Sequence, residues 1–197
     1  MKQTAKVAIT GGIGSGKSYV CRLLAKRGIS IYDCDAAAKR LMRTSPALQQ
    51  QLIQLIGPEA YTEEQGARVL NKAAVAQFLL ASEANAKALD NIVHPAVAAD
   101  YRASGMQWME CAILFESGFD SLVDRTVVVT APEQLRIARI MHRDGITEAK
   151  ARQWIARQWP QDDIRTRSDY EIVNDGLTGL EDQIDRLLQL LSTEGLL

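Results

Sequence analysis

The stretch Lys6 to Cys21, KVAITGGIGSGKSYVC, concentrates residues that can do chemistry. Gly11, Gly12, Gly14 and Gly16 precede Lys17 and Ser18 in the spacing G-x-x-x-x-G-K-S. Phosphate oxygens need many donors at short range. Glycines let the backbone curl so that successive N–H groups point inward. A helix that follows adds its unpaired N–H groups and its positive dipole end. Gly12, Ile13, Gly14, Ser15, Gly16, Lys17, Ser18 and Tyr19 are therefore the expected nucleotide contacts. Lys17 supplies a mobile cation for β- and γ-phosphates. The Ser18 hydroxyl is the expected ligand of a Mg²⁺ ion bridging those phosphates.

Other candidates lie further along. Asp33-Cys34-Asp35 follows an apolar run, and carboxylates near a γ-phosphate orient or deprotonate an attacking hydroxyl, or hold Mg²⁺ through water. One of the two is expected to cap the next helix, Asp35 by preference, with Asp33 facing the site. Glu116 follows the apolar run ending at Leu114-Phe115 and reads either as an acid assisting Mg²⁺ or as a cap or surface pair. His94 reads either as a structural histidine at a helix end or as a substrate contact. Arg136, Arg139 and Arg143 stud one helix, Arg139 and Arg143 four apart on one face. Planar guanidinium groups match phosphate oxygens, and Arg143, beside a turn, is the preferred functional arginine. The ordinary alternative is a solvated charged face. Asn174 follows a short apolar segment.

These residues need a frame that brings them to one edge. Val7 to Thr10 reads as a buried parallel strand and Lys17 to Arg27 as a helix stopped by Gly28. Ile29 to Tyr32 reads as a second strand and Ala36 to Met42 as a helix. That order argues for α/β with a parallel sheet, whose ligands bind beyond the carboxyl ends of the strands. From Thr44 to Gly105 the character changes to Ala, Gln and Leu. Pro46 to Ile56 is an expected helix and Gly57 to Arg68 an expected loop. Asn71 caps a helix through Leu80, and Ser82 starts another that His94-Pro95 interrupts, resuming to about Tyr101. Such an inserted lobe could close over an acceptor and exclude water. Gln107 to Leu114, Arg125 to Thr130 and Tyr170 to Val173 are expected strands. Pro132 opens a helix, Thr147 caps another reaching about Gln158, and Thr178-x-x-Glu181 is a capping box for the last helix.

With 197 residues, the chain is expected to be one domain with an inserted lobe. A formal net charge of −1 argues against general nucleic-acid binding, which needs a basic surface. Three cysteines without metal-type spacing fit free thiols in a reducing compartment, so a cytoplasmic location is expected. No apolar run is long enough to span a bilayer. A guanine-specific switch would show an Asn-Lys-x-Asp segment after a strand, and the chain has none.

Taken together, ITGGIGSGKS, IYDCDAAAKRL, NIVHP, AILFESGF, VVVTAPEQLRIARIMHRDGIT and SDYEIVND resemble the dephospho-coenzyme A kinase family, in the family's order and over nearly the whole chain. The resemblance implies a P-loop NTPase-type three-layer α/β fold with a five-stranded parallel sheet. It implies a helical substrate lobe at 44–105 and a helical lid at about 139–165, within core segments 1–43 and 106–197. The implied reaction moves the γ-phosphate of ATP, with Mg²⁺, to the ribose 3′-hydroxyl of dephospho-coenzyme A. By the same resemblance Lys17, Asp33 and Arg143 are catalytic and Asn174 lies on the nucleotide side. Arg139 is also expected on the nucleotide side, and Asp33, His94 and Glu116 are expected to contact the acceptor. The partner is a small molecule and a monomer is expected. Tyr19 stands where the family often has Thr, so its contact is expected through the backbone. Glu110-Cys111-Ala112 stands where the family often has Asp-x-Pro, and Glu110 is given no role.

Overall fold

The computed structural model describes residues 5–64 and 66–196. These divide into two compact units, one from residues 5–33 and 106–196, the other from 34–105.

The first unit is built on parallel strands. β1 (Val7–Thr10) runs into a glycine loop, and α1 (Lys17–Ala25) follows. β2 (Ile31–Asp33) leads out of the unit. The chain returns with β5 (Trp108–Glu110), β6 (Arg125–Thr130), α6 (Glu133–Asp144), α7 (Glu148–Ala156), α8 (Gln161–Arg167), β7 (Tyr170–Val173) and α9 (Leu180–Thr193). The second unit, which supplies the labels between, holds α2 (Cys34–Thr44), α3 (Pro46–Ile56), β3 (Tyr61–Glu64), β4 (Ala67–Leu70), α4 (Lys72–Ala81) and α5 (Glu83–Ser104).

The five parallel strands lie in the order β2-β5-β1-β6-β7. β1 is central, and all four of its residues are buried, as a strand covered on both faces must be. Val7 and Ile9 pack with Val127, Val129 and Ile172 against Val20, Leu23 and Leu24 of α1 and Ile184, Leu187 and Leu191 of α9. The alternate residues Ala8, Met109 and Val128 are just as buried, on the opposite face. This gives three layers, helix on sheet on helix. The i, i+3, i+4 spacing of α1 explains why it docks: one stripe is apolar and the rest is polar. α1 stops at Ala25, two residues short of the expected end, where Ile29 N–H reaches back to the Leu24 carbonyl and Gly28 N–H to Ala25.

Several expectations from sequence need correction. α2 starts at Cys34, so Asp35 lies inside its first turn and does not cap it; its carboxylate pairs with Lys39 one turn on. The second unit therefore begins at Cys34 and includes α2, ten residues before the expected boundary. β2 extends to Asp33, which pairs in register with Glu110. The expected loop from Gly57 to Arg68 contains an antiparallel hairpin, β3 with β4, in register from Tyr61↔Leu70 to Glu64↔Ala67. Its strands carry little apolar pattern: Tyr61 alone among their described residues is buried, its hydroxyl donating to the Met42 carbonyl at 2.6 Å. α5 runs through Pro95 unbroken. Leu89, Val93, Val97 and Tyr101 form one buried stripe that crosses the proline, and packing along it outweighs the hydrogen bond that proline removes. The capping box at the last helix is absent. The Thr178 hydroxyl and N–H are both bound by Asp175, and α9 starts one residue beyond Gly179.

Candidate active site

Between β1 and α1 the chain folds so that each carbonyl from Gly11 to Gly16 is claimed by a donor of the protein. Gly11 O accepts from Lys17 Nζ at 2.5 Å, and Gly12 O from Ser15 N–H at 3.1 Å. Ile13 O accepts from Arg136 Nε at 2.9 Å, and Gly14 O from Arg139 Nη1 at 3.3 Å. Ser15 O accepts from Asn174 Nδ2 at 2.8 Å and from Arg139 Nη1 at 3.3 Å. Gly16 O takes the N–H groups of Tyr19 and Val20 that start the helix. By contrast, the N–H groups of Gly12, Gly14 and Gly16 donate to no described residue. A loop with its acceptors tied back and its donors left over is a nest for an anion. Gly11 and Gly16 hold it there with φ near +137° and +95°. A Cβ on Gly16 would come within 2.1 Å of Asn174 Nδ2, and one on Gly11 within 2.3 Å of the Val129 carbonyl.

The frame fixes the braces. Asn174 extends the β7 ladder through its N–H to Thr130 O at 2.8 Å, which buries its side chain behind the loop. Its Oδ1 accepts from Arg139 Nη2 at 3.1 Å. The expectation of a nucleotide-side asparagine thus becomes a residue whose amide holds the loop itself. Gln158 accepts the Ile13 N–H at 2.6 Å from the segment after α7. Removing the Asn174 amide leaves a buried carbonyl and a guanidinium short of partners. Asn174→Ala is expected to cost about 2 kcal/mol, a fall of roughly 4–8 °C in Tm for a chain of this size, measured by thermal unfolding.

Acids arrive from the neighbouring strands. Asp33 ends β2 and Glu110 ends β5, side by side in register, with Glu110 next to Ile9 of β1 on its other side. Ser18 Oγ lies 3.5 Å from Glu110 Oε1. Burial pushes the Glu110 carboxyl above its usual range, opposed first by the charge of Lys17. Lys17 is buried and held below the usual lysine value by that burial, while Glu110 pulls it back up. The Cys21 thiol is pushed up to about 12, by burial and then by the Glu110 carboxylate, so it stays protonated beside the acids. Among the described residues no cluster of three His, Cys, Asp or Glu side chains could enclose a metal. One hydroxyl and one carboxylate fit an ion held mainly by phosphate and water, which is how Mg²⁺ is usually bound.

The site differs from the expected one in three places. The strand expected to reach Leu114 ends at Glu110; Cys111 and Leu114 are buried and Ile113 is exposed, in a segment of turns from Ala112 on. The acid at the strand end is therefore Glu110, while Glu116 is exposed and accepts the Trp159 N–H at 3.4 Å. Arg143 is exposed and bound side-on to Asp144 at 2.7 and 3.1 Å, while Arg139, one turn earlier, reaches the loop. Arg136 touches the loop as well and was named only as one of a row. His94 belongs to α5 of the second unit, its Nε2 3.5 Å from Asp90. Tyr19 is exposed with the Arg22 guanidinium over its ring, and its N–H donates to the Gly16 carbonyl at the start of the helix.

The family model of dephospho-CoA kinase (CoaE) matches residues 5–179. The chain belongs to the dephospho-CoA kinase family. It is 35% identical over 198 residues to the dephospho-CoA kinase of Chlorobaculum tepidum, covering 95% of each chain. It is 37% identical to that of Bacteroides fragilis, covering 94% of this chain and 92% of the relative. The solved structure of TT1252 from Thermus thermophilus superposes with a TM-score of 0.79 at 28% identity, covering 98% of both chains. The fold is thus the three-layer α/β fold of phosphate-loop kinases, and the activity is the ATP-using kinase activity of the dephospho-CoA kinase family.

Proposed function

We propose that the chain moves the γ-phosphate of ATP to the ribose 3′-hydroxyl of dephospho-coenzyme A through the residues gathered at the carboxyl ends of β1, β2 and β5. The loop from Gly11 to Gly16, with its carbonyls tied back, carries this reading. Phosphoryl transfer needs little covalent help; it needs positioning and charge at the three equatorial oxygens. The loop N–H groups and Lys17 hold the β- and γ-phosphates. Asp33 accepts the proton of the acceptor hydroxyl as it attacks in line. Ser18 and Glu110 are the residues that would hold Mg²⁺, which would supply neutralisation of phosphate charge. Arg139 fixes the loop, and Arg143 reaches the transferred group by leaving Asp144. The segment at about 139–165 acts as a lid, and His94 and Glu116 serve the acceptor.

A cytoplasmic monomer is part of the same reading. Cys21, Cys34 and Cys111 are in no disulfide, which suits a reducing compartment, and no described helix is long and apolar enough to cross a membrane. Light scattering on the purified chain measures the assembly state. The deciding experiment is ATP consumption with Mg²⁺ and dephospho-coenzyme A, mass spectrometry of the product, and adenosine monophosphate as the control acceptor. Coenzyme A is expected, and only with the coenzyme precursor. ATP bound without that product would leave the loop standing and send the acceptor assignment back to another small-molecule alcohol.

A further inference from the structure

Arg136 is 4% exposed in α6. Its Nε donates to Ile13 O at 2.9 Å, which uses one of five donors. No described carboxylate forms an ion pair with it. The acid that acts on its charge, Glu133, is already taken by Arg152 at 2.7 Å. A buried cation facing only a carbonyl is costly to keep.

Two observations say where its missing counter-charge belongs. The Arg136 Nη2 lies over Gly12, where a Cβ would stand 2.4 Å away. Gly12 has no left-handed backbone angle, and a side chain there would displace the guanidinium from its place over the loop. The charge of Arg136 also reaches Lys17, on a different helix, and disfavours its protonated form. Two buried cations therefore converge on one loop whose spare N–H groups point to an anion, and their repulsion is relieved when that anion is shared.

We propose that Arg136 binds the terminal phosphates of the nucleotide donor, as a second buried cation opposite Lys17. This rests on the ATP reading above. The competing role is a strut that only holds Ile13. Titration calorimetry of wild type, Arg136→Gln and Arg136→Lys with ATP, ADP and AMP in Mg²⁺ separates them, alongside the Tm of each free protein. Arg136→Gln is expected to weaken ATP about tenfold or more, ADP less and AMP little. Arg136→Lys keeps the charge without the planar fork and is expected to recover most of the preference for ATP over AMP. Equal losses for all three nucleotides, or a lower Tm with ATP affinity unchanged, make Arg136 a strut and overturn the proposal. Arg136→Lys decides alone where the glutamine variant does not fold: preference kept supports it, preference lost sinks it. A wild-type protein that binds no ATP overturns the loop assignment itself, which is a different failure.

Discussion

Lys17→Ala is expected to lower turnover at least about a hundredfold, the scale of losing one preorganised charge-stabilising group. The side chain is buried, and its Nζ rests on Gly11 O, inside the loop that would hold the phosphates. To act, it exchanges that carbonyl for phosphate oxygens, a short move that leaves the loop intact. Burial lowers its pKa, and the Glu110 charge is the main influence in the other direction. Steady-state kinetics check this, and the split matters. A loss confined to the KM for ATP would make Lys17 a ground-state clamp, whereas a fall in kcat places it in the transition state. Arg143→Ala makes the contrast. If turnover stays near wild type, the bidentate contact with Asp144 is its resting role and Arg139 is the arginine of the loop.

Much of this site could be read from residue order, and the reasons differ from place to place. The loop was legible because its chemistry is local: glycines, lysine and serine act within eight residues of one another. Asn174 was legible as a position, but its work was not, because Ser15 and Arg139 come to it from 159 and 35 residues away. Glu110 is not legible as a strand end, because the apolar run continues four residues beyond the strand. Such a run looks the same whether it forms a strand or turns. The paired strands of Tyr61 to Leu70 are hidden for the opposite reason: with one buried side chain among their described residues they have almost no hydrophobic period. Pro95 misled because the local rule is real, but a stripe of four buried side chains spans it.

Asp33→Asn is expected to lower kcat by about 10²–10⁴-fold with the Kd for ATP unchanged, the range of a lost general base. Asp33 stands at the end of β2, in register with Glu110 and so at the edge where the loop opens. Asp35 points its carboxylate along α2 to Lys39, and Asp35→Asn is expected to cost little. The pair of variants therefore decides which acid is the base. Glu110→Gln tests the other acid, and its sign follows from the charges. Glu110 is the foremost group raising the Lys17 pKa, so removing its charge lowers that pKa further. Activity that needs protonated Lys17 should then fall at a lower pH on the alkaline side than in wild type. The same variant should need more Mg²⁺ for half-maximal rate, because Ser18 loses the neighbour with which it would hold the ion. If Glu110→Gln instead leaves both the alkaline limb and the Mg²⁺ requirement where they were while Asp33→Asn abolishes turnover, Asp33 carries both proton and metal. The Glu110 carboxyl would then be only a buried neighbour of the lysine.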